Sequence, residues 1–258
     1  MDNRLDLTDQ FVFRGETGTV FVMDVNSSAA GPDAPQGFHP DARYEFKIHT
    51  DGAPFEQLTY RVTFGVPDQA GEQAVALHLL TGPDARDDDA AGQLLAEGRT
   101  HTPVLGPGGL RLWAGRAADP FYVDLTQVFA ISAAVKNGAK VDLSGWRPEA
   151  AKSSLPAPPS TRSWWRLPTR IRTWAPTGPL MAMPWRSTCC PTCSHRTGTK
   201  ADFGFVEQNG RWLADNAPEA MFCLVMNAAQ PTGLTPGQFA DTRSGQFPYV
   251  VAKPATAQ

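Results

Sequence analysis

The chain has 258 residues, of which 41% are apolar and 19% charged, a balance that fits one large or two modest packed domains and excludes a disordered or fibrous chain. No apolar run approaches the roughly 18 residues that a membrane-crossing helix needs. The net charge of −3 is unevenly spread: residues 151–200 hold eight Lys and Arg and no Asp or Glu, so the rest carries 15 basic against 26 acidic side chains. Such an acidic surface repels phosphate backbones and sets nucleic acid aside as a partner. The first residues show no basic stretch followed by an apolar one, so no secretory signal is visible and the cytoplasm is the default expectation. A chain that begins late relative to its gene would leave an extracytoplasmic location open.

In chain order, residues 10–14 and 19–25 are two apolar runs around Gly15-Glu16-Thr17-Gly18, a hairpin pattern. Residues 26–36 form a Ser/Ala/Gly/Pro loop. Residues 42–49 then alternate, with Tyr44, Phe46 and Ile48 on one face, and residues 57–65 alternate through Leu58, Tyr60, Val62 and Phe64. Thr50-Asp51-Gly52 between them makes a second hairpin. Residues 75–80 and 111–114 read as further strands, and residues 84–89 as an acidic loop. Helical spacing runs over 124–137 through Leu125, Val128, Phe129 and Val135, with Gly138 at the C-terminal cap. A second helix is predicted to start at Asp215, with Phe222, Val225 and Met226 on its apolar face. Many short strands and few helices predict a mainly β fold of sandwich-like antiparallel sheets, with 1–150 and 201–258 as parts of one domain.

Residues 152–197 stand apart. They hold four of the seven Trp, three of the four Cys and eight Pro, and follow neither a period of 2 nor one of 3.6. That proline density predicts neither a helix nor a central strand. A one-base shift of plausible GC-rich codons turns 155–169 into a strand-like sequence with acidic residues restored and prolines gone, and does the same for 187–194. We therefore read the segment as out of frame or disordered. Cys189, Cys190, Cys193 and His195 resemble half a zinc site, but no second pair completes four ligands and Cys223 is alone, so no metal is assigned there.

Several motifs resemble a known family. Asp6-Leu7-Thr8-Asp9-Gln10-Phe11-Val12-Phe13 is similar to the opening D-[IL]-T-D-x-[YF]-x-F of the bacterial domain-of-unknown-function 4331 family. Residues 38–46, Ala114-Gly115-Arg116 with residues 119–124, and Asn209-Gly210-Arg211, Leu213-Ala214-Asp215 and Phe247-Pro248-Tyr249 resemble its later signatures in the same order. The resemblance covers 6–150 and 200–250. It departs from the family in having less sequence before the first motif and no in-frame strand at 152–197. A family without an established activity implies no reaction.

The sequence lacks the common nucleophile, zinc-protease and phosphate-loop motifs, and Gly106-Pro107-Gly108-Gly109 is a loop with no helix after it. The candidate ligand- or cation-binding set is Asp6, Asp9, Asp24, Asn26, His39, Asp41, Arg116, Asp119 and Asp124: the first six at expected strand ends, and Asp119 and Asp124 flanking Pro120-Phe121. If these strand ends converge, their oxygens suit Ca²⁺ or Mg²⁺, and a His among carboxylates suits a general base. The plainer expectation is that these groups cap turns and pair with Arg14, Arg43 or Arg116. His49 is expected to face solvent, and His78 and His101 to be structural. Three functions follow: a non-catalytic binding or structural module, with or without a stabilising cation; a hydrolase using the Asp/His cluster; or a haem carrier with only Met23 and the histidines as axial ligands.

Overall fold

The computed structural model describes residues 2–16, 18–26, 35–49, 55–118, 124–140, 160–167, 213–214 and 234–254. The fold is mainly β, with antiparallel sheets in a sandwich-like arrangement. Among the described residues its strands are β1 (Leu7–Arg14), β2 (Thr19–Val25), β3 (Tyr44–Ile48), β4 (Leu58–Phe64), β5 (Ala74–Thr81), β6 (Gln93–Arg99), β7 (Val104–Leu105), β8 (Arg111–Ala117) and β9 (Ser160–Leu167). One sheet runs β1-β2-β9-β8-β7 and the other β3-β4-β5-β6. Among the described residues no helix is long and apolar enough to cross a membrane.

Alternation explains the layers. Phe21, Met23 and Val25 of β2 share one core with Tyr44, Phe46 and Ile48 of β3 and Tyr60, Val62 and Phe64 of β4, so the two sheets bury their facing sides together. Phe38 stacks flat on Phe64 with ring centroids 3.7 Å apart, and Tyr44 meets both rings edge-on. Tyr60 sits in this core, and burial pushes its hydroxyl pKa up to about 12. The even-numbered Val20 and Val22 turn to the other side of β2, where Phe11, Phe13, Trp113, Leu213, Tyr249 and Val250 make a second core. β2 therefore buries apolar side chains on both of its faces.

Both predicted hairpins form. Arg14 pairs with Thr19 across the first and Ile48 with Leu58 across the second, while the turn at 50–52 lies outside the described residues. β6 is the strand the pattern hides. Its Leu94 and Leu95 are adjacent rather than alternating, because the register slips opposite Leu77 and His78, and Leu94 is left exposed. Helix α1 spans Leu125–Lys136, capped by Asp124 and followed by Gly138 at φ +64°. Its periodicity locates it, yet Phe129 and Val135 on the expected apolar face are exposed. The helix predicted from Asp215 lies outside the described residues, as do Cys189 to His195.

One expectation is overturned. Proline density excluded a central strand from 152–197, yet β9 lies between β2 and β8 in full register with both, from Thr19↔Leu167 to Val25↔Thr161 and from Arg111↔Arg166 to Ala117↔Ser160. Averaging over the segment misled: Pro159 and Pro168 bracket eight residues without proline, and a central ladder needs N–H groups only within those eight.

Candidate functional site

The start of β1, the end of β2, the start of β9 and the end of β8 all meet at one end of the five-stranded sheet. Two neighbouring cross-strand rows hold most of the sheet's candidate residues. One row reads Asp9, Asp24, Arg162, Gly115; the next reads Leu7, Val25, Thr161, Arg116. The convergence of strand ends that a shared site would require is present for β1, β2 and β8. The one-residue offset matters, because adjacent rows point to opposite faces. Asp24 follows Val20 and Val22 to the outer face, whereas Arg116 follows Leu112 and Ala114 toward the core between the sheets. Asp24 is wholly buried, and the register puts Arg162, not Arg116, directly opposite it.

Asn26 ends β2 at φ +57°, a left-handed conformation that Asn tolerates better than most residues. Its Nδ2 donates to the carbonyls of Pro35 (2.8 Å) and Gly37 (3.1 Å), and its backbone N–H donates to the Asp6 carbonyl at 3.2 Å. The buried amide thereby fastens residues 35–37 to the end of β2. Asp6 itself closes the Asn3–Leu5 turn through its N–H and leaves its carboxylate exposed.

His39 and Asp41 sit on the segment that this loop delivers to β3. His39 Nδ1 accepts from the Asp41 N–H at 3.1 Å, so Nε2 carries the ring proton in the neutral form. Nε2 lies 3.8 Å from Asp2, which is itself clamped by Arg4 through Nε at 3.0 Å and Nη2 at 2.6 Å. These Arg4 bonds hold the Asp2 carboxyl well below the usual carboxylate range. Tyr44 ties the corner together, accepting from the His39 N–H (2.9 Å) and donating to the Arg4 carbonyl (2.7 Å). Asp2 and Arg4 had no motif to announce them.

At the other end of the set, Asp124 is buried and its Oδ1 accepts from the Gln127 N–H at 3.1 Å, capping α1. Asp119 lies outside the described residues. Arg116, 5% exposed, donates from Nη1 to the Pro254 carbonyl at 3.1 Å, and burial lowers its pKa. Of the expected arginine partners, Arg43 meets Asp88 and Asp89 instead of the strand-end carboxylates. Among the described residues no three of His, Cys, Asp and Glu gather closely enough to hold a metal ion. Met23, the one methionine weighed as a haem ligand, is buried in the core between the sheets.

Two further polar residues, Arg61 and Gln73, carry roles that sequence reading missed, and His101, expected to be structural, bonds the backbone of β8. Arg61, on the outer face of β4, meets Glu45 at 2.5 Å and donates to the carbonyls of Ala90 and Asp87, so the acidic loop lies over the sheet. Its position between core residues Tyr60 and Val62 was a usable signal. Gln73, 1% exposed, accepts from the Phe38 N–H and donates to the Phe38 and Gly65 carbonyls, stitching the 35–43 segment to the β4–β5 hairpin. Nothing in the sequence marks it. His101, at φ +63°, completes the edge of β8: its N–H donates to the Ala114 carbonyl and its Nε2 accepts from the Arg116 N–H at 3.2 Å.

No protein-family model matches the chain, and no curated protein or solved structure matches it.

Proposed function

We propose that this chain is a β-sandwich module that binds or scaffolds and does not catalyse. The supporting observation is that four of the nine candidate residues bond backbone: Asn26 two carbonyls, His39 the Asp41 N–H, Asp124 a helix cap and Arg116 the Pro254 carbonyl. A group that holds a loop is not available to abstract a proton or coordinate an ion without giving up that loop. Ca²⁺ is not part of the proposal, and millimolar Ca²⁺ is expected to leave the melting temperature unchanged.

The hydrolase reading has one observation on its side, the Asp2 carboxylate 3.8 Å from His39 Nε2, where it could orient an imidazole base. Replacing His39 and Asp41 together with Ala and assaying generic esters and phosphoesters separates the two. Turnover in the native protein that disappears in a folded double variant would establish the hydrolase; no turnover in either is the expected result.

We also propose that residues 152–197 are read out of frame within a member of the domain-of-unknown-function 4331 family. Support comes from the absence of Asp and Glu between Ala150 and Ala201 and from the order of the flanking motifs. Sequencing the gene across codons 145–205 is expected to find a base missing or added near both ends. An intact reading would remove the proposal and return Cys189, Cys190, Cys193 and His195 to consideration as metal ligands.

A further inference from the structure

The free edge of β8 is finished by three different parts of the chain. β7 pairs with Arg111 and Leu112, His101 takes over at Ala114 and Arg116, and residues 251–253 follow. In that last stretch the Ala118 N–H donates to the Val251 carbonyl at 2.9 Å and the Lys253 N–H to the Arg116 carbonyl at 2.8 Å. The Arg116 guanidinium grips the next carbonyl, that of Pro254. The imidazole thus occupies the place of a strand carbonyl between two backbone-paired stretches.

Its place is made for it. A side chain at Gly115 would put a Cβ 2.8 Å from His101 Cδ2 and 2.9 Å from Trp113, so only glycine lets the ring lie this close to the strand. The Trp113 ring meets it edge-on at 6.5 Å. Because Nε2 accepts a hydrogen bond, the neutral ring carries its proton on Nδ1, which is buried without a partner among the described residues. A protonated ring is a donor at both nitrogens. It cannot accept from Arg116, and it places a second positive charge beside a guanidinium that already lacks solvent.

We infer that His101 is an acid-sensitive latch on the C-terminal segment: a proton taken up at Nε2 removes the acceptor of the Arg116 N–H and frees residues 251–254 from the β8 edge. The charged groups acting on the ring are Glu72, in the turn before β5, and Arg116, on β8. Burial is the largest influence and favours the neutral ring; Glu72 opposes it and Arg116 reinforces it. The sign follows: the latch is closed above the ordinary imidazole value of about 6.5 and opens as pH falls through the lower value of the folded state.

The test is backbone amide exchange in the whole chain, corrected for intrinsic pH dependence, at Ala118 and Lys253. Protection there is expected to fall about tenfold between roughly pH 7.5 and pH 5, while amides in the β4–β5 ladder hold theirs. His101→Gln keeps an acceptor and cannot titrate, so the fall should vanish in that variant. A flat native profile, or an equal fall in His101→Gln, overturns the inference. Should the variant not fold, the ring's own titration in the native protein decides: its midpoint must coincide with that of the lost protection, and a separation between them overturns the latch.

Discussion

Every strand of the four-stranded sheet pairs with its neighbour in the chain, whereas the five-stranded sheet closes only when β9 enters between β2 and β8 and residues 251–253 return to the β8 edge. The difference shows in what holds each sheet. Side chains brace the first from outside: Arg61 and Thr59 hold the carbonyls of the segment from Ala85 to Ala90, and Gln73 replaces missing backbone partners. The second is stitched by distant chain segments, with Tyr249 covering the β1–β2 turn and His101 bridging a gap in a ladder. Local pairing makes a sheet robust to the loss of one remote contact; distant pairing makes each remote contact matter.

The largest expected effect lies in the four-stranded sheet. Arg61→Ala breaks a nearly buried ion pair, leaves Glu45 to Lys47 at 3.5 Å and strands two carbonyls, and should cost about 3 kcal/mol in denaturant unfolding. A loss below about 1 kcal/mol would mean that the bracing is not what stabilises this sheet. Gln73→Ala removes three bonds at once and should cost about 2–3 kcal/mol, because the Phe38 N–H is buried with nothing to replace the amide.

Gly15→Ala tests the other sheet. A Cβ there would stand 2.6 Å from the Tyr249 hydroxyl and 2.7 Å from Val20 Cγ2, and the displaced tyrosine would give up its bond from the Glu16 N–H. A cost of about 1–3 kcal/mol is expected, with loss of protection around Tyr249 rather than in β4 or β5. The smallest effect concerns His78 on β5. Burial first, and Arg61 second, lower its pKa, so its neutral form contributes stability above about pH 6.5 that is lost as pH falls. His78→Gln should flatten part of the acid slope of unfolding and leave stability at pH 8 nearly unchanged.

Legibility in the sequence divided along the same line. Alternation found β3 and β4, since a half-buried strand writes its two faces into its residues, and apolar runs found β1, β2, β5 and the start of β8. β6 escaped because a register slip breaks the alternation. β9 escaped because prolines outside the strand weighed against residues inside it. The strand ends of β1, β2 and β8 meet at one end of the sheet, which their flanking carboxylates alone left open. Which face each side chain takes depends on cross-strand register between distant strands, and that is what separated Asp24 from Arg116. His101 and Gln73 bond the backbone of remote segments, and such partners leave no trace in local pattern.

The most direct test of the claim that the strand-end residues hold backbone is the thermal unfolding of Asn26→Ala beside Asn26→Gly. Both lose the bonds to Pro35 and Gly37, while Gly still adopts the φ of +57° without a Cβ penalty. Both should melt lower than the native protein, with Asn26→Ala the less stable by about 1 kcal/mol. A melting temperature unchanged in both variants would contradict the account, and would return Asn26 to the pool of residues kept for a ligand.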